Sequence, residues 1–379
     1  MKNYFLFIFA TIIAVSCSNK EIEADRSFQK ININNSSTKD TVELDSFLTF
    51  KRLIKLDTSV KAIISRINKI RAFNGKLYIY DMMRKGLKIF DNTGRFLSSF
   101  YREGEAPGEY LFLADFDIHP VTGDLYVLDS QRRLLLIYDS SLTYKNKILL
   151  PVYALNFQFI NPDVCALYTG TMYDDLNINK DTKTACRLFI INLKDNKAGV
   201  VAKALNFPAD GREYANDGVF SNFFASNSNI CFAEAYNNLV YEITPDTILP
   251  KYELVFALNN LPADSFLNFK NLGDVRKIQN SYCFYKFHLM ETDRYISGVC
   301  WQNGDFIFIY DKHTKKSWCT KSITVDGKIL EWAPNDGLYS WKKKSILMEI
   351  PQQQKHLWDK NILPDATEEN PWLAEFEIQ

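Results

Sequence analysis

One segment of the chain is copied further along it. Gly75-Lys76-Leu77-Tyr78-Ile79-Tyr80-Asp81, followed by Gly86-Leu87-Lys88-Ile89-Phe90-Asp91, returns 48 residues later as Gly123-Asp124-Leu125-Tyr126-Val127-Leu128-Asp129, followed by Leu134-Leu135-Leu136-Ile137-Tyr138-Asp139. Each half is an apolar run of strand length closed by an aspartate. Asn74-Gly75 and Asn92-Thr93-Gly94 supply residues that accept positive φ cheaply, as hairpin turns require. Fainter copies pair 164–168 with 187–193, 230–234 with 239–243, 295–300 with 305–311, and 337–341 with 345–350, which brings the copies to six. Self-similarity at about 40–50 residues with four strands per unit points to a β-propeller.

The physical logic fits that count. One four-stranded sheet cannot bury both of its faces, so sheets stack around an axis and the ring must close to cover its two end faces. The run 47–56 precedes the first full copy and 372–378 follows the last, so these N- and C-terminal strands are expected to share the closing blade. Gln352 to Asn361 reads as a short helix on the rim. The expectation is an all-β fold over 46–379: a six-bladed β-propeller with four-stranded antiparallel blades.

Residues 2–17, KNYFLFIFATIIAVSC, carry one lysine, then an apolar run from Tyr4 to Val15, then Ser16-Cys17. The run is too short to span a bilayer unaided and has the layout of an export signal. Ala14-Val15-Ser16-Cys17 resembles the lipobox of bacterial lipoproteins, which would make Cys17 the lipid anchor and 1–17 the removed signal peptide. Several acyl chains on one cysteine hold a protein stably at a membrane. Residues 18–45 are polar and without apolar periodicity, and so read as a flexible tether.

The 45 basic and 45 acidic side chains leave no net charge to draw the chain to nucleic acid. The 28 Phe and 20 Tyr suit strands and packing between blades. Four histidines in distant segments are poor material for zinc chemistry, and His119 and His313 fall in turns. Behind Cys17, six cysteines (Cys165, Cys186, Cys231, Cys283, Cys300 and Cys319) are irregularly spaced without a C-x-x-C, which suits buried thiols at least as well as disulfides. No G-x-S-x-G elbow occurs.

The most distinctive loop is Arg102-Glu103-Gly104-Glu105-Ala106-Pro107-Gly108-Glu109-Tyr110. It resembles the G-x-G-P-G-E-Y segment that follows the first blade in six-bladed propeller lipoproteins of Bacteroidetes, distant relatives of NHL-repeat propellers. The lipobox start, Phe90-Asp91-Asn92-Thr93-Gly94-Arg95-Phe96-Leu97 and the closing Asn370-Pro371-Trp372-Leu373 with Phe376 are similar to that family too, over residues 46–379. Ala106 departs from the pattern, where the family has glycine. The resemblance implies a fold and an address in the cell envelope, on the outer membrane, but no reaction.

Two readings of the loop stand. Arg102, Glu103, Glu105, Glu109 and Tyr110 could ring the mouth of the central channel, or the segment could be a tight crossover in which Pro107 fixes φ and Gly108 permits a left-handed turn. Two readings of function stand as well. The first is a monomeric, non-catalytic binding or scaffolding propeller for a protein or glycan, without a cofactor. Exposed tryptophans, with Trp332 and Trp358 in loops, would serve a glycan. The second is a lactonase-like hydrolase or lyase using axial carboxylates, drawn from Asp81, Asp115, Asp117 and Asp129, with calcium as the cation, although capping of a turn is the ordinary role of a strand-end aspartate.

Overall fold

The computed structural model describes residues 28–36, 39–43, 47–173, 177–212, 214, 223–226, 229–278, 280–302, 304–325, 327–331, 338–342, 345–350, 354–359 and 370–378. The fold is all-β and propeller-like, built from four-stranded antiparallel sheets. The first sheet runs Ile67–Phe73, Lys76–Asp81, Gly86–Asp91 and Phe96–Phe100, and the second Leu113–Ile118, Leu125–Asp129, Leu134–Tyr138 and Tyr144–Leu149. The third is led by Asn156–Asn161 and continues through Val164–Tyr168, Thr184–Asn192 and Gly199–Pro208, with a short extra strand at Ile178–Asn179.

Phe223–Ser226, Asn229–Ala233, Leu239–Ile243 and Ile248–Phe256 form the next antiparallel group. It is joined by one parallel pair, Ser226 with Glu291, to a group of Phe284–Glu291, Tyr295–Trp301, Asp305–Asp311 and Ser317–Val325. The terminal sheet pairs Leu338–Lys342, Ser345–Ile350, Trp372–Ile378 and Leu48–Lys55, so the two ends of the fold meet in one sheet. That antiparallel register, from Trp372 with Lys55 to Ile378 with Leu48, fastens the chain on itself.

Period-two alternation sends successive residues of each strand to opposite neighbours. In the first sheet Leu77 and Ile79 pack with Leu347 and Leu373 of the terminal sheet, while Tyr78 and Tyr80 pack with Phe116 and Val127 of the second. The second and third sheets share Leu135, Ile137, Phe157 and Leu167. The third and the following group share Leu188, Ile190, Phe232 and Ile243. Val240, Leu254, Cys300 and Phe308 join the next pair, and Ile307, Ile309, Ile346 and Met348 lead back to the terminal sheet. The Phe and Tyr surplus is thus spent largely between sheets, with rings such as Phe100 and Tyr138 edge-on at 4.7 Å.

The polar composition of 18–45 predicts a tether, and the structure differs over ten of its residues. Gln29–Ile33 pairs in parallel with Ile248–Phe256, and Lys39–Glu43 pairs in parallel with Ser317–Val325. Both occupy outer edges whose unpaired N–H and C=O groups would otherwise face solvent. Ile31 and Ile33 are fully buried there, two apolar side chains too few to register as a pattern. The expected helix at 352–361 is one turn, Lys355–Trp358, with 351–353 and 360–369 outside the described residues.

Candidate functional site

Because strand direction alternates, the crossovers between sheets and the turns joining second to third strands lie on the same face. The loop Arg102 to Tyr110 is the crossover from the first sheet to the second. It is tied mostly to itself and to the adjacent turns. Backbone N–H groups of Gly104 and Tyr110 donate to the carbonyls of Tyr110 and Arg102, and the Ala106 N–H donates to Glu109 Oε2 at 2.9 Å. Lys85 Nζ donates to Glu103 Oε1 at 2.7 Å, which holds the Glu103 carboxyl below its ordinary value. Tyr110 is buried, its hydroxyl bridging Lys85 O and the Arg102 N–H, and burial pushes that phenol up to about 12. Arg132 donates to the Glu109 carbonyl.

Two glycines make this path unavoidable. A Cβ on Gly104 would strike the Glu109 carboxylate, and one on Gly108, at φ +82°, would sit 2.7 Å from Tyr144 Cγ. The crossover reading therefore accounts for Glu103, Glu109 and Tyr110, while Arg102 and Glu105 are exposed on the face.

Of the four acidic candidates, Asp81 and Asp129 close second strands and bind backbone. Asp81 accepts from the Ser65 and Arg84 N–H groups, and Asp129 from the Leu111 and Arg132 N–H groups and Arg132 Nε. Each clamps a crossover onto the turn beside it. Asp115 and Asp117 differ, since they lie on the leading strand of the second sheet, between the leading strands of the first and third. Lys69 Nζ donates to Asp115 Oδ1 at 2.7 Å, and Arg71 Nε to Asp117 Oδ1 at 2.9 Å. The N–H groups of Phe157 and Phe159 fill the other oxygens, both at 2.9 Å. Arg71 also reaches Gln158 Oε1 at 3.0 Å, so a ladder of polar residues stitches three leading strands together. Burial pushes Lys69 below its ordinary ammonium value, Arg71 pushes the same way, and Asp115 and Asp117 oppose them. Among the described residues no three His, Cys, Asp or Glu side chains gather where they could hold a metal ion.

Sequence reasoning missed a third cluster. On the same face, the third sheet's turn, 169–183, and the crossover after Ile248–Phe256 are long. The crossover after Phe256 carries a turn at Ser265–Asn268 and a helix at Leu272–Ile278, whereas the first sheet's crossover, 101–112, holds no helix. Together with Tyr214 and Tyr236 they form an apolar cap containing Phe207, Phe266 and Phe269. Beneath it Arg187 forms a two-pronged pair with Glu234, Nε to Oε1 at 2.7 Å and Nη2 to Oε2 at 3.0 Å, both side chains buried. The guanidinium stacks 4.2 Å over Phe266.

The family model described as domain of unknown function (DUF4934) matches residues 28–373. The chain belongs to the DUF4934 family. Its match begins at the edge strand Gln29–Ile33, in keeping with that strand being part of the fold. Comparison with curated proteins finds no match. Among solved structures, the DUF4934 chain is similar to a Bacteroides fragilis protein classed as exported, with TM-score 0.71 and 17% identity over 93% of this chain and 100% of that one. A DUF4221 family member from Bacteroides vulgatus aligns with TM-score 0.52 and 9% identity over 88% and 98%. These likenesses concern fold alone. The DUF4934 chain has no helix, among the described residues, long and apolar enough to cross a membrane. The six cysteines after Cys17 are buried thiols that form no disulfide among the described residues. His313 lies exposed in a turn, whereas His119 is half-buried against Tyr126 and Phe159, its ring accepting from the Val121 and Thr122 N–H groups. Cys17 and Trp332 lie outside the described residues, and Trp358 packs against the core.

Proposed function

We propose that this DUF4934 protein is an exported lipoprotein of the cell envelope whose six-bladed propeller binds or scaffolds a protein or glycan without catalysing a reaction. The closed order of face-to-face packing, from the first sheet round to the terminal one, supports six blades. The observation that carries the non-catalytic reading is the state of the leading-strand carboxylates. Each oxygen of Asp115 and Asp117 already accepts from a cation or a backbone amide, so neither is placed to ligate calcium or take a proton. The chain would act as a monomer, held to the membrane through Cys17 alone.

Two experiments test this. Cys17→Ala should release the protein from membranes, and a membrane-bound variant sinks the anchor. The mature chain, offered lactones and esters with and without calcium, should turn over none. Calcium-dependent turnover lost in Asp115→Asn would establish the hydrolase instead.

A further inference from the structure

We infer that a groove on the outer rim, between the edge strand Gln29–Ile33 and the strand Ser317–Val325, receives an anionic phospholipid headgroup of the membrane that holds the anchor. The inference rests on the lipoprotein reading and gives the anchored propeller an orientation.

The groove has a volume of about 440 Å³ and opens to solvent. Its walls include Asn32, Ile33 and Asn34 on one side and Lys315, Lys316 and Ser317 on the other. Of these six only Ile33 is buried, so a ligand can enter. Hydrogen bonds fix the walls in advance. The Asn34 N–H donates to Ser317 Oγ at 2.8 Å, and Asn35 Nδ2 donates to the Leu258 carbonyl at 3.0 Å and to Gln302 Oε1 at 2.9 Å. The chain that crosses from one sheet edge to the next is therefore held in place without a ligand, as it is in most small-ligand sites.

Charge selects the ligand. Lys315 and Lys316 are exposed, and neither ammonium has a carboxylate partner among the described residues. Glu253, the one acid of the neighbouring strand Ile248–Phe256, is taken by Lys30 at 3.8 Å. Two uncompensated ammonium groups, with the exposed Asn32 amide nearby, match a phosphate that carries a hydroxylated headgroup.

Position selects the source. With lipid on Cys17, twelve residues lead to Gln29, and even fully extended they span at most about 43 Å. The chain leaving the membrane thus meets the fold first at this rim, and the tether keeps the groove at a high effective concentration over the lipid surface. Leu258, next to Ala257 of the lining, is 46% exposed and offers an apolar side chain to the headgroup–acyl boundary.

The test couples the mature chain through Cys17 to a maleimide phospholipid, the other six thiols being buried. Vesicles are phosphatidylcholine with or without about one-third phosphatidylglycerol, and lysine acylation is followed by mass spectrometry. Phosphatidylglycerol should slow acylation of Lys315 and Lys316 about five- to thirtyfold, the span for one or both lysines at the surface, and high salt should erase the effect. Lys147 and Lys203, exposed on the outer strands Tyr144–Leu149 and Gly199–Pro208, should react equally on both vesicles. Equal rates at Lys315 and Lys316 on the two vesicles, or equal slowing at Lys147 and Lys203, would overturn the inference while leaving the anchor standing. The same protection by inorganic phosphate without vesicles would assign the groove to a soluble anion and overturn the lipid source. The contact is too weak to hold the chain alone, so a Cys17→Ala chain that stays on cell membranes strikes the anchor and this inference with it.

Discussion

Replacing Asp115 with Asn should unsettle the centre of the fold without changing its shape. Lys69 and Asp115 have side-chain exposures of 6% and 4%, so water cannot replace the lost charge. The asparagine keeps one acceptor oxygen, whereas Asp115 accepts from Lys69, Phe116 N and Phe157 N. Breaking a buried pair while leaving one charge behind costs about 3–5 kcal/mol. At about 2 °C per kcal/mol for a domain of this size, thermal unfolding should fall by roughly 6–10 °C. Lys69→Met combined with Asp115→Asn should recover at least half, because no uncompensated ammonium remains.

The deficit should also depend on pH. Burial and Arg71 hold folded Lys69 below the ordinary 10.5, and Asp115 partly restores it. Between the depressed value and 10.5 the unfolded lysine binds more protons than the folded one, so stability rises with pH across that window. Losing the Asp115 charge extends the window downward, and the deficit of the single variant should shrink from about pH 7 to about pH 9.5. Denaturant melts at both pH values measure this. A loss below about 1 kcal/mol, or a double variant weaker than the single, would refute the reasoning.

Three further outcomes are expected. Gly108→Ala should cost about 2–4 kcal/mol, since it combines a left-handed φ with collision against Tyr144, whereas Gly211→Ala, at the same φ of +82° but with nothing within 4 Å, should cost only about 1–2 kcal/mol. Equal losses in urea melts would mean that the Tyr144 contact is immaterial. Ile33→Ala should destabilise by about 2–5 kcal/mol by calorimetry if Gln29–Ile33 is part of the fold, and by nearly nothing if it is a loose tether. Burial pushes the Cys231 and Cys319 thiols up to about 12, so iodoacetamide at pH 8 should leave them unmodified until the chain is unfolded, and mass spectrometry of native protein showing either adduct would contradict the packing.

Much of the architecture is legible in the chain because a strand writes its burial into alternate residues. The second and third strands of every sheet, the meeting of 48–55 with 372–378, and the turn roles of Asp81 and Asp129 follow from local pattern and the need to cover end faces. The charge partners were hidden by distance. Lys69 finds Asp115 46 residues on, Arg71 finds Asp117 at the same interval, and Arg187 finds Glu234 at 47. Each interval is about one repeat, because equivalent positions in adjacent sheets face one another, so opposite charges one repeat apart were the available signal.

The amino-acid sequence alone thus determined the repeat, the strands within it and the meeting of 48–55 with 372–378 in one sheet, all of which depend on near-neighbour patterning and burial. Tertiary structure alone decided that Asp115 and Asp117 are saturated, that Gln29–Ile33 caps an edge, and that long connections roof over Arg187. Those outcomes depend on which distant groups satisfy a given hydrogen bond or charge, and that choice is made only when sheets are brought face to face.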